Sequence, residues 1–163
     1  MTHSPHLAVL FVCLGNICRS PLAEAAFRRE AEARAMEIAI DSAGTGGWHA
    51  GAPPDRRAQA EALRRGIDIS GYRARQVTAQ DFARFSHILA LDGQNLADLR
   101  RIRPAGATAR LSLLLDHVPG MAGRPAAERS VADPYYGDEA GFAETWEQVS
   151  RAARALADAL ARS

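Results

Sequence analysis

The chain has 163 residues, close to half of them apolar, and a formal net charge of +1. This length predicts a single domain over residues 1–163, and the balanced charge predicts no nucleic acid and no membrane surface as a partner. All twenty residues counted as lysine or arginine are arginine, which excludes mechanisms that need a phosphate-binding or Schiff-base lysine.

The apolar run at residues 7–12 is too short to cross a membrane, and it lacks the basic leader and small-residue cleavage site of a signal peptide. We therefore expect a cytoplasmic protein. Two cysteines are too few for a secreted disulfide scaffold, and no group of Cys and His residues has the spacing of a zinc site. A reactive thiol is the better explanation for these cysteines.

Strands and helices alternate along the first part of the chain. The run at 7–12 is continuously apolar, as a strand covered on both faces would be. Ser20 followed by Pro21 predicts the N-cap and first turn of a helix that continues to about Arg34. Residues 37–41 alternate as a second strand and precede a loop rich in Gly and Pro.

A second helix is predicted after Asp55, a good N-cap residue, and it should end at Gly66. Its buried side is expected to carry Ala58, Ala62 and Leu63.

The remaining elements are a short helix after a weak capping signal at 78–81, a strand over 86–91, a helix over 93–101 and a strand over 110–115. The last twenty residues form one amphipathic helix, because apolar residues recur every three or four positions. These residues are Phe142, Trp146, Val149, Ala153, Leu156 and Leu160.

The alternation of strands and helices along the chain predicts an α/β domain with a four-stranded parallel sheet and helices on both faces. Such sheets bind ligands beyond the carboxyl ends of their strands.

The loop after the first strand reads Cys-Leu-Gly-Asn-Ile-Cys-Arg-Ser over residues 13–20, and we refer to it as the nucleophile loop. Five residues separate Cys13 from Arg19, and they include Gly15 and Asn16, which tolerate a positive φ. The chain can therefore curl until successive N–H groups point into one concavity, which suits a tetrahedral oxyanion. The N-terminus of the following helix adds donors and partial positive charge.

The same loop predicts a cysteine nucleophile. Arg19 offers a planar fork of donors that can hold two phosphate oxygens. Its charge and the helix N-terminus favour the thiolate form of Cys13. Ser20 can donate its hydroxyl to the sulfur and ease the departure of the sulfur from phosphorus in a second step.

Expulsion of a phenolate or alkoxide needs a proton donor, and the segment Asp-Pro-Tyr-Tyr-Gly at 133–137, the acid loop, supplies a candidate. Asp133 is fixed by the following proline and lies beside two aromatic residues, just before the last helix. Aromatic cover would help Asp133 to stay protonated for the first step. The same carboxylate could then activate the water that hydrolyses a phosphocysteine.

The nucleophile loop with Pro21 and the acid loop closely resemble the low-molecular-weight protein tyrosine phosphatases, and the resemblance covers nearly the whole chain. Further similarities are found at residues 41–45, 74–78, 91–92 and 95–96. The implied fold is a four-stranded parallel sheet flanked by helices. The implied activity is hydrolysis of phosphotyrosine in proteins, in two steps through a phosphocysteine, without a metal or another cofactor.

The resemblance implies Cys13 as the nucleophile, Arg19 as the phosphate clamp and Asp133 as the general acid and then the general base. It also implies a substrate pocket formed by the nucleophile loop and by aromatic residues of other loops. The expected substrate-binding residues are Leu14, Gly15, Asn16, Ile17, Cys18, Ser20, Trp48 and Tyr135. Leu14, Trp48 and Tyr135 are expected to form walls of a slot deep enough for a phenyl phosphate, in which phosphoserine would not reach the sulfur.

Asn16 and Ser42 are implied to belong to a hydrogen-bond network that supports the nucleophile loop. Many relatives carry a histidine that supports this asparagine, and the nearest position here holds Tyr72, whose hydroxyl can still form a hydrogen bond. Cys18 corresponds to a second loop cysteine that can form a reversible, protective disulfide with the nucleophile. Solvent or packing roles are expected for three histidines without visible catalytic or metal partners, His49, His87 and His117.

Other functions stay open for this sequence. Arsenate reductases share the loop but use further cysteines downstream, and none follows Cys18. Protein arginine phosphatases have a small polar residue where Ile17 stands, and isoleucine crowds a planar guanidinium. A phosphotyrosine-binding module without catalysis is disfavoured by the joint presence of Cys13, Arg19 and Asp133. The expected partner is a phosphotyrosine-containing protein, and the chain is expected to be a monomer or a weak dimer.

Overall fold

The computed structural model describes residues 6–162. A four-stranded parallel sheet lies at its centre, with the strand order β2-β1-β3-β4. The strands are β1 (Ala8–Cys13), β2 (Ala39–Gly44), β3 (His87–Ala90) and β4 (Arg110–Leu113). The predicted α/β fold is therefore confirmed.

Helices connect the strands, as parallel pairing requires. They are α1 (Arg19–Ala33), α2 (Arg56–Arg64), α3 (Asp81–Arg84), α4 (Gly93–Ile102) and α5 (Glu139–Ala161), and a 3₁₀ turn spans Leu114–His117. The fourth strand is thus shorter than predicted, because the chain turns after Leu113. Within the described residues, none of these helices combines the length and the apolar character that a membrane span needs.

Each face of the sheet has its own core, and β1 contributes to both. Val9 and Phe11 pack on the side covered by α1, α2 and α5, whereas Leu10 and Val12 pack on the side of α3 and α4. A strand buried on both faces must be apolar throughout, which explains the continuous run in the sequence. Cys13 ends this central strand at the point where the sheet order reverses, the usual place for a ligand site.

The amphipathic pattern of the last helix is also confirmed. All six of the apolar residues that predicted it are buried: Phe142, Trp146, Val149, Ala153, Leu156 and Leu160. The helix begins before the last twenty residues, at Glu139, because the Asp138 side chain accepts a hydrogen bond from the backbone N–H of Gly141 and caps it.

The predicted N-cap role of Ser20 is wrong. Helix α1 begins two residues earlier, at Arg19, with Cys18 at the N-cap position and no side-chain capping bond. The Ser20 hydroxyl is instead bonded to Cys13 and Asn16. Pro21 fits inside the first turn because the first four N–H groups of a helix have no intrahelical acceptor.

The second strand lies further along the chain than predicted. It extends to Gly44, which pairs with Cys13 and also exchanges hydrogen bonds with the 75–77 segment. A Cβ atom at residue 44 would lie 2.7 Å from the carbonyl oxygen of Leu14, so only glycine allows these three segments to meet. The close approach brings Ser42 of β2 to the nucleophile loop.

Helix α2 begins after Asp55, whose side chain accepts a hydrogen bond from the Arg57 N–H, as predicted for an N-cap. The prediction that Leu63 is buried is wrong, since 60% of this residue is exposed. Glu61 is buried in its place and forms ion pairs with Arg64 and Arg65.

Candidate active site

A cavity of about 310 Å³ opens where β1 passes into α1. Three segments that are distant in sequence surround it: the nucleophile loop, residues 48–49 and the acid loop. Its lining is Cys13, Leu14, Gly15, Ile17, Cys18, Arg19, Trp48, His49, Asp133, Tyr135 and Tyr136. Asn16 and Ser20, which the sequence analysis grouped with the substrate contacts, lie behind this lining and are buried.

The sulfur of Cys13 faces donors from its own loop. Its Sγ lies 2.9 Å from Ser20 Oγ, and the backbone N–H of Asn16 donates to it over 3.3 Å. Asn16 has a φ of 59°, the left-handed conformation that asparagine tolerates better than most residues. This turn directs the Asn16 N–H toward the sulfur.

A directed chain of hydrogen bonds lies behind the sulfur. The Asn16 Nδ2 amide donates to Ser20 Oγ over 2.8 Å and to Ser42 Oγ over 3.0 Å. Because Ser20 Oγ already accepts from this amide, its own proton is available to the sulfur. Ser42 in turn donates to the Glu24 carboxylate over 2.7 Å. An anionic acceptor at one end and the sulfur at the other therefore set the direction of every donor between them.

Glu24 was missed by the sequence analysis. It is a buried residue of α1, and its carboxylate also accepts from Arg28 over 2.9 Å. Burial raises the pKa of Glu24 above its usual range, and the hydrogen bonds from Ser42 and Arg28 oppose that shift. Its position four residues after Ser20, on the same helix face, was the available signal.

Arg19 is almost completely buried and held by two acceptors. Its Nη1 donates to Asp92 over 2.7 Å and to the carbonyl oxygen of Val131 over 2.9 Å. Burial by itself would lower the pKa of Arg19, but Cys13 and the hydrogen-bonded Asp92 outweigh it, so that this pKa is raised. The guanidinium is therefore charged and fixed beside the sulfur. Asp92 had been noted only as part of a similar segment, and its ion pair with Arg19 joins residues 73 apart.

Asp133 lies across the cavity from the nucleophile loop. About a third of its side chain is exposed, and its Oδ2 is 3.7 Å from Arg19 Nη2. The other carboxylate oxygen accepts from the Tyr135 N–H over 3.1 Å, so the acid loop forms a tight turn around the carboxylate. Asp133 and Cys13 line the same cavity, so a ligand bound over Cys13 lies within the same space as the Asp133 carboxylate.

Arg57 ties the acid loop to α2, and it too was missed. Its guanidinium donates to the carbonyl oxygens of Tyr135 and Gly137 at 2.8 and 2.9 Å and forms a bidentate pair with Asp55. It also lies 5.7 Å from the centroid of the Tyr135 ring. The backbone N–H of Asp55 donates to the carbonyl oxygen of Ile17. The start of α2 therefore contacts both the nucleophile loop and the acid loop.

The residues expected to form the walls of the substrate slot lie at the cavity. Leu14, Trp48 and Tyr135 all line the cavity, and His49 and Tyr136 are additional lining residues. His49 had been assigned a solvent or packing role from the sequence. Its ring lies over the nucleophile loop, where a Cβ atom at residue 15 would come within 3.0 Å of His49 Cδ2.

Tyr72 reaches the network only indirectly. The Oδ1 atom of Asn16 accepts from the backbone N–H of Arg75 over 3.0 Å, which occupies the position proposed for the Tyr72 hydroxyl. Tyr72 lies near Glu24 and Arg28 instead, and burial raises its pKa to about 12. It therefore remains a neutral hydroxyl at physiological pH.

The two cysteines are both free thiols, but their surroundings differ. Burial raises the pKa of Cys18, and the negative charge of Asp55 adds to that effect. Cys18 therefore stays protonated, whereas Cys13 has hydrogen-bond donors directed at its sulfur.

Comparisons with known proteins agree on one family. A family model described as low molecular weight phosphotyrosine protein phosphatase matches residues 8–163. A phosphatase of that description from Schizosaccharomyces pombe is 42% identical over 147 residues, which cover 88% of this chain and 90% of the relative. The low molecular weight protein-tyrosine-phosphatase YfkJ from Bacillus subtilis is 46% identical over 132 residues, 80% of this chain and 81% of the relative.

Solved structures with the same fold include relatives of this chain. The crystal structure of YfkJ superimposes with a TM-score of 0.86 at 39% identity and covers 99% of this chain and 98% of its own. The crystal structure of DARP, a Drosophila arginine phosphatase, superimposes with a TM-score of 0.84 at 30% identity, covering 93% of this chain and 96% of its own.

Proposed function

The chain belongs to the low molecular weight phosphotyrosine protein phosphatases and is a protein-tyrosine phosphatase, and from this premise we propose how its residues perform the reaction. Cys13 is the nucleophile, Arg19 binds the phosphoryl oxygens, and Asp133 is first the general acid and then the general base. Leu14, Trp48 and Tyr135 enclose the substrate ring.

In the first step, the Cys13 thiolate attacks phosphorus, so that an S–P bond forms while the P–O bond to the tyrosine ring breaks. Arg19 and the N–H groups of the nucleophile loop hold the equatorial oxygens, where negative charge is concentrated. Asp133 gives its proton to the departing tyrosine oxygen, which leaves as a neutral phenol. The fixed position of Arg19 between Asp92 and Val131 supports this role, since no reorganisation is needed when charge develops.

In the second step, the Asp133 carboxylate takes a proton from water, and the water oxygen attacks phosphorus. The S–P bond breaks, its electron pair returns to sulfur, and inorganic phosphate is released. Ser20 stabilises the departing thiolate through its hydroxyl. The partial exposure of Asp133 supports its second role, because the attacking water must reach the carboxylate from solvent.

The observation that carries this mechanism is the contact between Cys13 Sγ and Ser20 Oγ at 2.9 Å, with the Asn16 N–H also directed at the sulfur. The direct test is to quench the reaction with a phosphotyrosine peptide within milliseconds and to search by mass spectrometry for a phosphate on Cys13. With p-nitrophenyl phosphate, whose leaving group needs little protonation, Asp133→Asn should increase the trapped fraction, since the intermediate still forms but its hydrolysis loses the base. Failure to find phosphate on Cys13 in either protein, while turnover continues, would contradict the mechanism.

The structural similarity to an arginine phosphatase calls for a second assay. Ile17 of the nucleophile loop lines the cavity, and its branched apolar side chain favours a phenyl ring over a planar, charged guanidinium. We expect kcat/KM for a phosphotyrosine peptide to exceed that for the matched phosphoarginine peptide by at least about 100-fold, within the range that pocket contacts can supply. A ratio near one would assign arginine phosphatase activity to the same site.

The cellular setting is proposed from the same premise. A phosphatase of this family acts on phosphoproteins, and we propose phosphotyrosine-containing proteins of the cytoplasm as its substrates and a monomer or weak dimer as the active form. Sedimentation at several concentrations would measure the oligomeric state directly.

A further inference from the structure

A second groove lies beside the catalytic cavity and shares a wall with it. Its volume is about 360 Å³, and Leu14 and Trp48 line both this groove and the catalytic cavity. The far side is formed by the C-terminal end of α4, where Arg101 and Ile102 project. We call this feature the α4 groove. It is continuous with the site that binds the phosphotyrosine ring.

The exposed apolar residues of this protein are concentrated around these two cavities. Among the described residues, six large hydrophobic side chains are exposed, and five of them line one cavity or the other. Those five are Leu14, Trp48, Ile102, Tyr135 and Tyr136, and Leu63 on α2 is the exception. Contiguous exposed apolar surface on a protein of this size marks a binding site for another molecule.

The shared wall is held in place by its own packing. The Trp48 ring lies so close to Gly46 that a Cβ atom there would be 1.8 Å from Trp48 Cζ3. Gln76 donates to the carbonyl oxygen of Thr45 over 3.1 Å and lies against Gly47. One face of the Trp48 ring thus rests on the backbone at Gly46, while 73% of the residue is exposed. An exposed aromatic side chain that is supported in this way offers a preformed contact surface.

The charges at the rim indicate which kind of side chain the groove would accept. Asp98 and Arg101 line it and form an ion pair with each other at 2.9 Å. Their charges compensate, so the rim favours neither an acidic nor a basic group. The apolar residues that line the groove favour an aliphatic or aromatic side chain; they are Leu14, Trp48, Val77 and Ile102.

We propose that the α4 groove binds an apolar side chain that lies one to three residues from the phosphotyrosine of the substrate protein. The inference rests on the proposed function, because it assumes that the phosphotyrosine ring occupies the catalytic cavity. Successive residues of an extended peptide advance by about 3.3–3.6 Å each, so a close neighbour of the phosphotyrosine reaches a groove that begins at the same wall.

The test uses phosphotyrosine peptides that carry leucine or alanine at each of the three positions on either side of the phosphotyrosine. At one of these positions, leucine should raise kcat/KM about ten-fold over alanine, as expected for partial burial of its side chain. Ile102→Glu should reduce that ratio to about one, while kcat/KM for p-nitrophenyl phosphate, which does not extend to the groove, stays as in the wild type.

Leu63→Glu is the matched control, since Leu63 is an exposed leucine of α2 that lines neither cavity. It should leave both the leucine preference and the small-substrate activity unchanged. Ile102→Ala provides a milder variant that should lower the ratio part of the way, and the p-nitrophenyl phosphate rate shows that each variant is folded.

Two results would overturn the proposal: equal rates for leucine and alanine at all six positions in the wild type, or a leucine preference that Ile102→Glu retains. If the wild-type protein did not hydrolyse p-nitrophenyl phosphate, the result would be a different failure. It would remove the proposed function itself, and the groove proposal with it.

Discussion

The nucleophile loop and the acid loop face the same cavity but are built in opposite ways. In the nucleophile loop, Cys13, Asn16 and Ser20 are buried and hydrogen-bonded to one another, and the chain of donors ends on the buried Glu24. The acid loop is exposed and is held mainly through its backbone carbonyls, which Arg57 binds. A nucleophile must stay anionic and in place before the substrate arrives, which favours a rigid shell of donors. An acid that later activates water must remain open to solvent.

The largest expected effect is the loss of the nucleophile. Cys13→Ser should lower kcat by at least ~10³-fold, because a serine hydroxyl is a much weaker nucleophile at neutral pH than a thiolate. Competitive binding of vanadate or phosphate should persist, since Arg19 and the loop N–H groups are unchanged. Measurement of kcat, and of the affinity for vanadate or phosphate by a direct binding assay, checks both parts. Activity near the wild-type value would contradict the assignment of Cys13.

The acid loop should show a different signature. Asp133→Ala should lower kcat/KM for phenyl phosphate by about 10²–10³-fold, and much less for p-nitrophenyl phosphate, whose leaving group needs little protonation. A series of substituted phenyl phosphates measures this dependence. Equal losses across the series would remove Asp133 from the role of general acid.

Support of the nucleophile loop can be separated into backbone and side-chain parts at Asn16. Asn16→Ala removes three side-chain hydrogen bonds and places alanine at a φ of 59°. The free energy of unfolding should fall by about 2–3 kcal/mol, and kcat should fall by the same factor for good and poor leaving groups. Asn16→Gly relieves the backbone strain and should recover roughly 1 kcal/mol of stability without recovering kcat. Recovery of kcat in the glycine variant would show that the amide network is dispensable.

Arg57 allows the contribution of acid-loop positioning to be tested separately from the nucleophile loop. Arg57→Met should lower kcat/KM about ten-fold for phenyl phosphate and little for p-nitrophenyl phosphate, because a loosened loop positions the acid poorly. In an Asp133→Ala background the same change should have almost no further effect. Arg56→Met, at an exposed neighbouring position, is the control. An equal effect on both substrates would assign Arg57 a purely structural role.

The smallest effect on activity should come from alkylation of the second cysteine, Cys18. Burial raises the pKa of Cys18, so this thiol stays protonated through neutral and mildly alkaline pH and reacts slowly with iodoacetamide. Cys13 should be alkylated first, with loss of activity, and vanadate should protect it. Peptide mapping after partial labelling identifies the modified residue. Preferential labelling of Cys18 in the folded protein would contradict this interpretation.

Local patterns in the sequence were sufficient for the architecture. The apolar run that became β1 and the three-to-four-residue repeat of α5 each depend on contacts that a single element makes with its core. The cap at Asp55 depends on a bond to Arg57, two residues away. The boundaries of α1 and β2 were placed less well. The Ser20 hydroxyl is hydrogen-bonded to Cys13 and Asn16 within the nucleophile loop, and Gly44 is hydrogen-bonded to the distant 75–77 segment.

The distinction between local contacts and contacts with distant segments also applies to the residues of the site. Spacing alone indicated Cys13 and Arg19, since a loop that cradles an anion needs a fixed number of residues between a strand and a helix. Asp133 was proposed from its short aromatic motif. The hydrogen bonds of Glu24 to Ser42, of Asp92 to Arg19 and of Arg57 to the acid loop each span a gap in sequence that only the packing of the sheet and helices closes, so local patterns did not show these pairings. The sequence by itself therefore determined the order of the elements and was sufficient to propose the reacting groups. Tertiary structure alone decided which charges and donors hold those groups, because hydrogen bonds between distant segments form only when the cores on both faces of the sheet bring them together.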